Sequence, residues 1–303
     1  MRLEFAKSKI KRFGDRRSHE RTRDIVYFRA SNDGEVFGYS ELSPLITWGH
    51  PPLDELVELL DSELSHALLD HAIEMAISDL KARERGSSLI RGGQLFLNHQ
   101  FLMGTQEPIE PWAKSIKIKM GDRLDYEVSL LQSFIQNNSE IKLRIDLNGA
   151  FRFAEDFLRW WWKVPFMNQV EFLEDPVLND YEWEQIRNLA PEIPIAADQM
   201  LGRVESPILV IKPSWEKLDR TLKFSDSRTT DLVFTHVFGG DMDQSQTLAE
   251  ATRVKELGWN ILDCGMLHPS SQFEQRDGRI YIPDNVLGFG TQPNVESDSW
   301  ETL

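Results

Sequence analysis

The first hundred residues alternate between strand-like and helix-like hydrophobic patterns. Residues 25–30 and 35–40 are rich in β-branched and aromatic side chains and flank the polar segment 31–34, so they predict a β-hairpin. Apolar residues then recur at helical spacing over 53–60 and again over 69–86, which ends on a glycine, a typical C-terminal cap. Strands followed by helices predict a small α+β unit.

Beyond residue 110, short apolar segments alternate with amphipathic ones. The predicted strands are 115–120, 143–147, 170–173, 193–197, 208–211, 232–235 and 261–264. Helical spacing links several of them, as in 124–135, 154–163 and 243–257. Continuous apolar strands separated by helices are typical of a parallel sheet covered by helices. The predicted fold class is therefore α/β, and seven such strands favour a barrel over an open sheet.

Composition is consistent with a large core and narrows the range of partners. Of the 303 residues, 41% are hydrophobic and 10% aromatic, which excludes global disorder. The formal net charge of −15 makes the chain a poor general binder of nucleic acid or anionic membranes. Cys264 is the only cysteine, and the sequence has neither an export signal nor the roughly 18 apolar residues of a membrane span. We therefore expect a cytoplasmic protein.

Positive charge is concentrated near the start of the chain. Residues 1–29 carry ten basic and four acidic side chains. One interpretation is a solvated strand and loop. The other is a local collar that attracts an anionic small molecule.

Charged side chains recur where the predicted strands end. Lys117 and Lys119 lie on the same face of their strand, because successive side chains of a strand alternate between faces. The later strand ends carry Asp146 and Asn148, Glu174, Asp198 and Lys212. In a parallel barrel the carboxyl ends of all strands open onto one mouth, where such folds place their active sites. We therefore expect these side chains to converge.

The three acids in this set need a compensating charge. Carboxylates cannot share a dry pocket unpaired, since each is costly to desolvate and they repel one another. A divalent cation resolves this conflict, and an oxygen-only ligand set that leaves positions for water and substrate favours Mg²⁺ over Zn²⁺. A lysine close to such an ion binds its proton less tightly, so it can act as a base near neutral pH.

Each residue also has an ordinary structural interpretation. A single acid at a strand end is more often a helix cap or a surface group, and Lys119 alone fits an edge strand. Asp175 is interpreted as a supporting or capping residue, and the tryptophans at 160–162 as core packing. The backbone N–H groups of Gly239 and Gly240 are candidates for binding a carboxylate. The full set nevertheless argues against a chance placement, because charged residues occur at the ends of five consecutive strands.

This ordered set resembles the enolase superfamily, in its muconate-lactonizing subgroup, over nearly the full length of the chain. Lys-x-Lys, Asp-x-Asn, Glu-x-Pro, a strand-closing Asp and Lys-Pro occur in family order at 117–119, 146–148, 174–176, 198 and 212–213. The resemblance implies a modified TIM barrel of (β/α)7β type at 106–284. It also implies an α+β capping domain at 1–105, onto which the C-terminal segment 285–303 packs back.

Within the subgroup, the run from Arg144 to Asn148 is most similar to that of the o-succinylbenzoate synthases. The resemblance implies that Asp146, Glu174 and Asp198 bind Mg²⁺, or Mn²⁺ in its place. It implies that Lys119 is the catalytic base and that Lys212 acts from the opposite side. Lys117, Arg144 and Asn148 are implied to support these residues.

The implied reaction is the dehydration of 2-succinyl-6-hydroxy-2,4-cyclohexadiene-1-carboxylate to o-succinylbenzoate in menaquinone biosynthesis. Its substrate is a small anionic carboxylate. The segment around Arg16 and Arg17 corresponds to a mobile capping loop of the family, and residues 46–50 correspond to a second one. Arg16 and Arg17 are therefore candidate substrate contacts, together with the two glycines.

Some features depart from the family pattern. Only 13 residues separate Asp198 from Lys212, too few for a full helix, which predicts a shortened side of the barrel. The alternatives are an N-acylamino acid racemase, a dipeptide epimerase or a cycloisomerase of the same subgroup. A third hypothesis is a non-catalytic protein that binds an anionic partner. Against the epimerase, the sequence has no Asp-x-Asp motif after the last strand, where residues 262–265 supply only one acid, Asp263.

Overall fold

The chain begins with an antiparallel sheet. Residues 1–11, 22–62, 64–91, 93–97, 99–102, 108–222, 225–237, 239–265 and 273–303 are described in the computed structural model. Strands β1 (Arg2–Lys11), β2 (Thr22–Ser31) and β3 (Gly38–Leu42) are neighbours in this sheet, and β2 and β3 form the predicted hairpin. The second strand starts later than predicted because the Asp33 carboxylate accepts the N–H of Glu35 at 2.8 Å and widens the turn.

Two helices follow, α1 (Leu53–Glu58) and α2 (Ala67–Glu84), as the helical spacing predicts. The apolar face of α2 packs on β3. This contact is so close that a Cβ atom on Gly38 would lie 2.0 Å from the backbone nitrogen of Leu80. Gly86, with φ of +62°, lies just beyond the end of α2. Strands and helices together form the predicted α+β unit.

After β4 (Gly93–Leu97), eight strands of the described residues form one parallel sheet whose order follows the chain. They are β5 (Gln100–Leu102), β6 (Ser115–Lys119), β7 (Lys142–Asp146), β8 (Val170–Glu174), β9 (Ile195–Ala197), β10 (Ile208–Ile211), β11 (Asp231–Thr235) and β12 (Asn260–Gly265). The last seven confirm the predicted strands to within two residues at each end. Strand β5 was not predicted, because three residues are too short for a pattern.

Helices cover the outside of this sheet. They are α3 (Leu124–Gln136), α4 (Ala154–Trp161), α5 (Asp180–Leu189), α6 (Leu218–Thr221) and α7 (Asp241–Glu256). Trp160 and Trp161 are buried, which confirms core packing for them, but Trp162 is 54% exposed. None of the helices in the described part of the chain is both long and apolar enough to cross a membrane.

One side of the sheet is abbreviated. Between β9 and β10, residues 198–207 form turns and no helix, which confirms the prediction from the short spacing. The neighbouring helix α5 packs against this connection through Trp183, whose indole N–H donates to the carbonyl of Glu205 at 3.0 Å. Trp183 is completely buried as a result.

The parallel sheet is strongly curled. Strands β5 and β12 stand at opposite ends of the sheet order. Nevertheless Asp263 on β12 forms an ion pair with Arg144 on β7 at 2.6 Å, and its Oδ1 atom lies 3.0 Å from Nδ1 of His99, next to β5. A Cβ on Gly265 would lie 2.3 Å from the His99 ring. The two ends of the sheet therefore approach each other, and the charged side chains of its inner face meet inside the curl.

The C-terminal part returns to the beginning of the molecule. Strands β13 (Glu274–Arg276) and β14 (Arg279–Ile282) form a small antiparallel sheet with β4, and β15 (Glu301–Thr302) pairs with β1. The N–H of Phe289 donates to the buried carboxylate of Asp79 on α2 at 2.6 Å. The last segment therefore packs against the α+β unit.

Candidate active site

Strands β6 to β9 and the segment that follows β10 bring charged side chains to one edge of the curled sheet. Ile116 and Ile118 are buried in the core that faces the helices. By strand alternation the lysines between and after them point to the opposite, inner face. The carboxylates of Asp146, Glu174 and Asp198 follow from the next three strands, and each residue is at most 5% exposed.

Lysines of β6 contact the first two of these acids. The Nζ atom of Lys117 lies 2.6 and 2.7 Å from the carboxylate oxygens of Glu174 and 3.4 Å from Oδ2 of Asp146. The Nζ atom of Lys119 lies 3.3 Å from the same oxygen of Asp146. The Lys117 side chain is therefore a bridge between two carboxylates, whereas Lys119 lies nearer to solvent, with 38% of its side chain exposed.

A third lysine approaches from the other side. Lys212, directly after β10, forms an ion pair with Asp198. Because β7, β8 and β9 lie between β6 and β10 in the sheet, Lys119 and Lys212 flank the three carboxylates from opposite sides. The structure therefore brings together the lysines and acids that the sequence predicts to converge.

Charge crowding shifts the pKa values at this edge. Burial, followed by the charge of Asp146, raises the pKa of Glu174 to about 8. Burial also opposes ionisation of Asp146, but the ammonium groups of Lys117 and Lys119 outweigh it and lower the pKa of Asp146. Burial disfavours the charged form of Lys117, yet the nearby acids raise its pKa. Glu174 and Asp146 are therefore close enough for the charge of one to oppose the ionisation of the other.

Polar residues behind the acids hold them in position. Asn148 donates its side-chain N–H to Asp146 and accepts one from Gln199 at 3.2 Å. The carboxylate of Asp175 accepts the backbone N–H groups of Asp198 at 3.0 Å and of Gln199 at 2.7 Å, which confirms its interpretation as a supporting residue. Asn148 and Asp175 have φ of 47° and 45°, and such left-handed backbone strain is concentrated at functional sites.

Arg144 lies deeper inside the curl. Its guanidinium pairs with Asp263 at 2.6 Å and with Glu171 at 2.7 Å, and stacks over Phe172 at 4.9 Å. His99 completes this buried network through Asp263. In the sequence, Asp263 stands out only as a lone acid, and the only signal for His99 is its position beside a short strand.

The α+β unit reaches the site through the segment 46–50, which the resemblance matched to a capping loop. The ring centroid of Trp48 lies 4.3 Å from Nζ of Lys212 and 5.3 Å from the ring of Trp215. His50 meets Trp215 edge-on at 4.5 Å. Trp215 also donates its indole N–H to the carbonyl of Ser43 at 2.8 Å. The other predicted loop, with Arg16 and Arg17, lies outside the described residues.

The two glycines play a different part from the one predicted. The N–H of Gly239 donates to Asp243 at 2.9 Å, and that of Gly240 donates to Glu41 at 2.8 Å. Both donors therefore serve carboxylates of the chain itself, which corrects the expectation that they bind a substrate carboxylate. The sequence could not reveal this, because Glu41 comes from β3, far away along the chain.

The donor set fits a hard divalent cation in its chemistry. Three buried carboxylates on neighbouring strands offer only oxygen ligands, the type that a hard divalent cation prefers. Among the described residues, no three acidic, histidine or cysteine side chains are grouped closely enough to hold a metal as they stand. Lysine ammonium groups lie between the acids instead, so a cation would compete with them for the same oxygens.

No protein-family model matches the sequence, and no curated protein does. Solved structures do match over most of their length. An o-succinylbenzoate synthase from Thermosynechococcus elongatus BP-1, complexed with Mg in its active site, is 18% identical with a TM-score of 0.65, covering 88% of this chain and 93% of that one. A muconate lactonizing enzyme from Pseudomonas fluorescens, complexed with muconolactone, is 14% identical with a TM-score of 0.74, covering 94% and 95%.

A mandelate racemase/muconate lactonizing protein from Herpetosiphon aurantiacus is 16% identical with a TM-score of 0.72, covering 95% and 97%. The chain shares the fold of these proteins. This fold accounts for the curled parallel sheet and for the α+β unit that covers its edge. At these identities the likeness extends to the fold alone.

Proposed function

We propose that the protein is an o-succinylbenzoate synthase of the enolase superfamily, which dehydrates 2-succinyl-6-hydroxy-2,4-cyclohexadiene-1-carboxylate with the help of Mg²⁺. The observation that carries the proposal is the placement of Lys119 and Lys212 on either side of three buried carboxylates. A protein that only binds an anion needs no such arrangement, because binding alone requires no base.

In this proposal Asp146, Glu174 and Asp198 hold the cation, with Mn²⁺ as an alternative because it takes the same oxygen ligands. Mg²⁺ supplies positive charge to the carboxylate of the substrate when it is bound there. The cation would also offset the mutual repulsion of the three carboxylates.

The two flanking lysines carry the chemistry. Lys119 removes the proton α to the substrate carboxylate as a neutral amine. Lys212 faces the negative charge that develops on the substrate and lowers the barrier, since this charge exists only along the reaction path. Protonated Lys119 then assists the departure of hydroxide. Lys117 and Asn148 hold the acids in place, and Arg144 supports them from inside the curl.

We further propose the domain organisation, the substrate class and the cellular location that the resemblance implies. The barrel is of (β/α)7β type over 106–284. The capping domain is 1–105, with 285–303 packed back on it. The substrate is a small anionic carboxylate, and the protein works in the cytoplasm without nucleic acid or membrane partners.

A second candidate is another reaction of the same subgroup. Lysines on opposite sides of the acids also suit transfer of a proton from one face of a carbon atom to the other, as in an N-acylamino acid racemase or a dipeptide epimerase. A cycloisomerase of the same subgroup is a further alternative. Exchange of the α-proton of N-succinyl amino acids with deuterium from D₂O would favour the racemase.

The deciding experiment incubates the purified protein with the cyclohexadiene substrate and Mg²⁺ and follows aromatisation by ultraviolet absorbance. The wild-type chain is expected to form o-succinylbenzoate, and Lys119→Ala and Lys212→Ala are expected to lose at least about 100-fold in rate. Lys114→Ala, which alters an exposed lysine just before β6, is the matched control and should keep the rate. No product from the wild-type chain would contradict the proposal.

A further inference from the structure

One acid next to the site has a buried carboxylate oxygen without a partner. Among the described residues, the buried side-chain polar atoms that lack a hydrogen-bond partner are Nε1 of Trp160, Oε2 of Glu216, Oε1 of Gln244 and Oε1 of Gln246. Glu216 is the ionisable member of this set. A sealed carboxylate oxygen has lost its water without gaining a donor, which costs free energy and calls for an explanation.

Glu216 lies in the segment after β10, four residues beyond Lys212. The residue before it, Trp215, is fixed by its hydrogen bond to Ser43 and by contact with the ring of Trp48. Glu216 follows this fixed residue; it is half-buried as a whole, and its Oε2 atom is shielded from solvent.

The charge of Glu216 depends on its neighbours in the site. Burial raises the pKa of Glu216 to about 8, the ammonium group of Lys212 acts to lower it, and the charge of Asp198 acts to raise it. No ion pair joins Glu216 to Lys212 in the described structure, because Lys212 is paired with Asp198. The ammonium group of Lys212 thus has two carboxylates within its electrostatic reach and contacts one of them.

Binding of a divalent cation changes this balance. In the proposed function Asp198 is a ligand of the cation, so the cation and Lys212 compete for the same carboxylate. Once Asp198 is engaged, the Lys212 ammonium must leave it, and a buried cation without a counter-charge is strongly disfavoured. Trp48 covers one side of this ammonium with its ring, and Glu216 offers the free oxygen.

We propose that Glu216 is a positioning residue that receives the Lys212 ammonium group when Asp198 binds the cation. This inference rests on the proposed function. It assigns Lys212 two partners in turn, Asp198 before the cation binds and Glu216 afterwards. The second pairing keeps Lys212 charged and oriented for the substrate.

The test is a double-mutant cycle on Mg²⁺ affinity, measured by isothermal titration calorimetry on the full chain without substrate. Glu216→Gln is expected to weaken Mg²⁺ binding about tenfold, because Lys212 then has no alternative to Asp198. Lys212→Met should tighten Mg²⁺ binding, since the competing ammonium is gone. In the Lys212→Met background, Glu216→Gln should change the affinity by less than about twofold.

Two further variants separate positioning from a structural effect. Glu216→Asp retains the charge and should recover part of the lost affinity if it folds. Glu74→Gln removes an exposed acid that pairs with Lys217 and should leave the affinity unchanged. Circular dichroism and urea unfolding check that all variants are folded.

The outcomes are distinguishable from a failure of the proposed function. Equal weakening by Glu216→Gln with and without Lys212 would show a plain charge effect and overturn the inference, as would no weakening at all. In both cases the wild-type chain binds Mg²⁺ and the proposed function stands. If the wild-type chain binds no Mg²⁺, the proposed function fails and the positioning role fails with it.

Discussion

The indole ring of Trp48 lies over the ammonium group of Lys212, with 4.3 Å between Nζ and the ring centroid. This contact joins the α+β unit directly to a lysine of the candidate site. Removal of a desolvated cation–π contact costs roughly 1–2 kcal/mol. Trp48→Leu is therefore expected to lower kcat/KM for the cyclohexadiene substrate about tenfold.

Trp162→Leu is the matched control for this prediction. Trp162 is 54% exposed at the end of α4 and has no contact with Lys119 or Lys212 among those described, so its replacement should leave kcat/KM unchanged. Urea unfolding of both variants separates a loss of activity from a loss of stability. Equal activity losses in the two variants would contradict a specific role for the Trp48–Lys212 contact.

The buried ion network inside the curl should make the free energy of unfolding depend on pH in the acidic range. Burial disfavours the charged form of Asp263, but Arg144 and His99 outweigh it and lower the pKa of Asp263 to about 2. Because this value is below that of the unfolded chain, the stabilisation is present above about pH 4 and is lost as the pH falls towards 2. Asp263→Asn should remove this part of the pH dependence.

At neutral pH, Asp263→Asn is expected to lower the free energy of unfolding by about 3–5 kcal/mol, because it leaves the Arg144 charge buried with one partner fewer. Asp219→Asn breaks an exposed pair with Arg253 and should cost less than about 1 kcal/mol. Addition of Arg144→Met to Asp263→Asn should cost less than the sum of the single variants. Urea denaturation curves measure all of these, and an additive result would argue against the network.

A buried acid at the junction of β3 and α7 gives the opposite pH dependence. Burial, followed by the charge of Asp243, raises the pKa of Glu41 to about 7. Since the unfolded chain releases this proton at a lower pH, the contribution of Glu41 to stability falls as the pH rises from about 4.5 to 7. The loss is at most about 3 kcal/mol.

Glu41→Gln should therefore become more stable relative to the wild-type chain between pH 5 and pH 7.5, because it keeps an acceptor for Gly240 and has no proton to lose. The free energy of unfolding in urea at the two pH values measures the difference. Glu35→Gln, at the exposed turn before β3, is the control and should show no such change. A parallel pH dependence of Glu41→Gln and wild type would contradict this account.

Local sequence patterns were sufficient for most of the fold and for the charged strand ends. Strands β9, β10 and β11 are almost wholly buried, so they read as apolar runs, whereas β6 alternates buried isoleucines with lysines. Charged residues mark where β6 to β10 meet the site. Strand β5 escaped prediction because three residues carry no periodicity. The widened turn before β3 depended on the side chain of Asp33, whose hydrogen bond no spacing rule shows.

Contacts between the α+β unit and the curled sheet, and contacts across the curl, could not be predicted. Glu41 and Gly240 are 199 residues apart, and His99 and Asp263 are 164 residues apart, so only the folded chain pairs them. The same holds for the contact between Trp48 and Lys212. The sequence shows that these residues can form hydrogen bonds or ion pairs. Their partners are determined by the packing of β3 and of segment 46–50 on the curled sheet.

The close packing of β3 on α2 makes Gly38 the most sensitive glycine of the α+β unit. An added Cβ would lie 2.0 Å from the backbone nitrogen of Leu80 and 2.3 Å from the carbonyl oxygen of Ala76, and helix backbone cannot yield as a side chain can. Gly38→Ala is therefore expected to lower the free energy of unfolding by about 3 kcal/mol or more. Gly34→Ala, in the preceding turn with φ of +83° and open space around it, should cost about 1–2 kcal/mol from backbone strain alone. Urea unfolding of both variants measures these losses of free energy. Equal losses would mean that the close contact between β3 and α2 at Gly38 does not contribute to the effect.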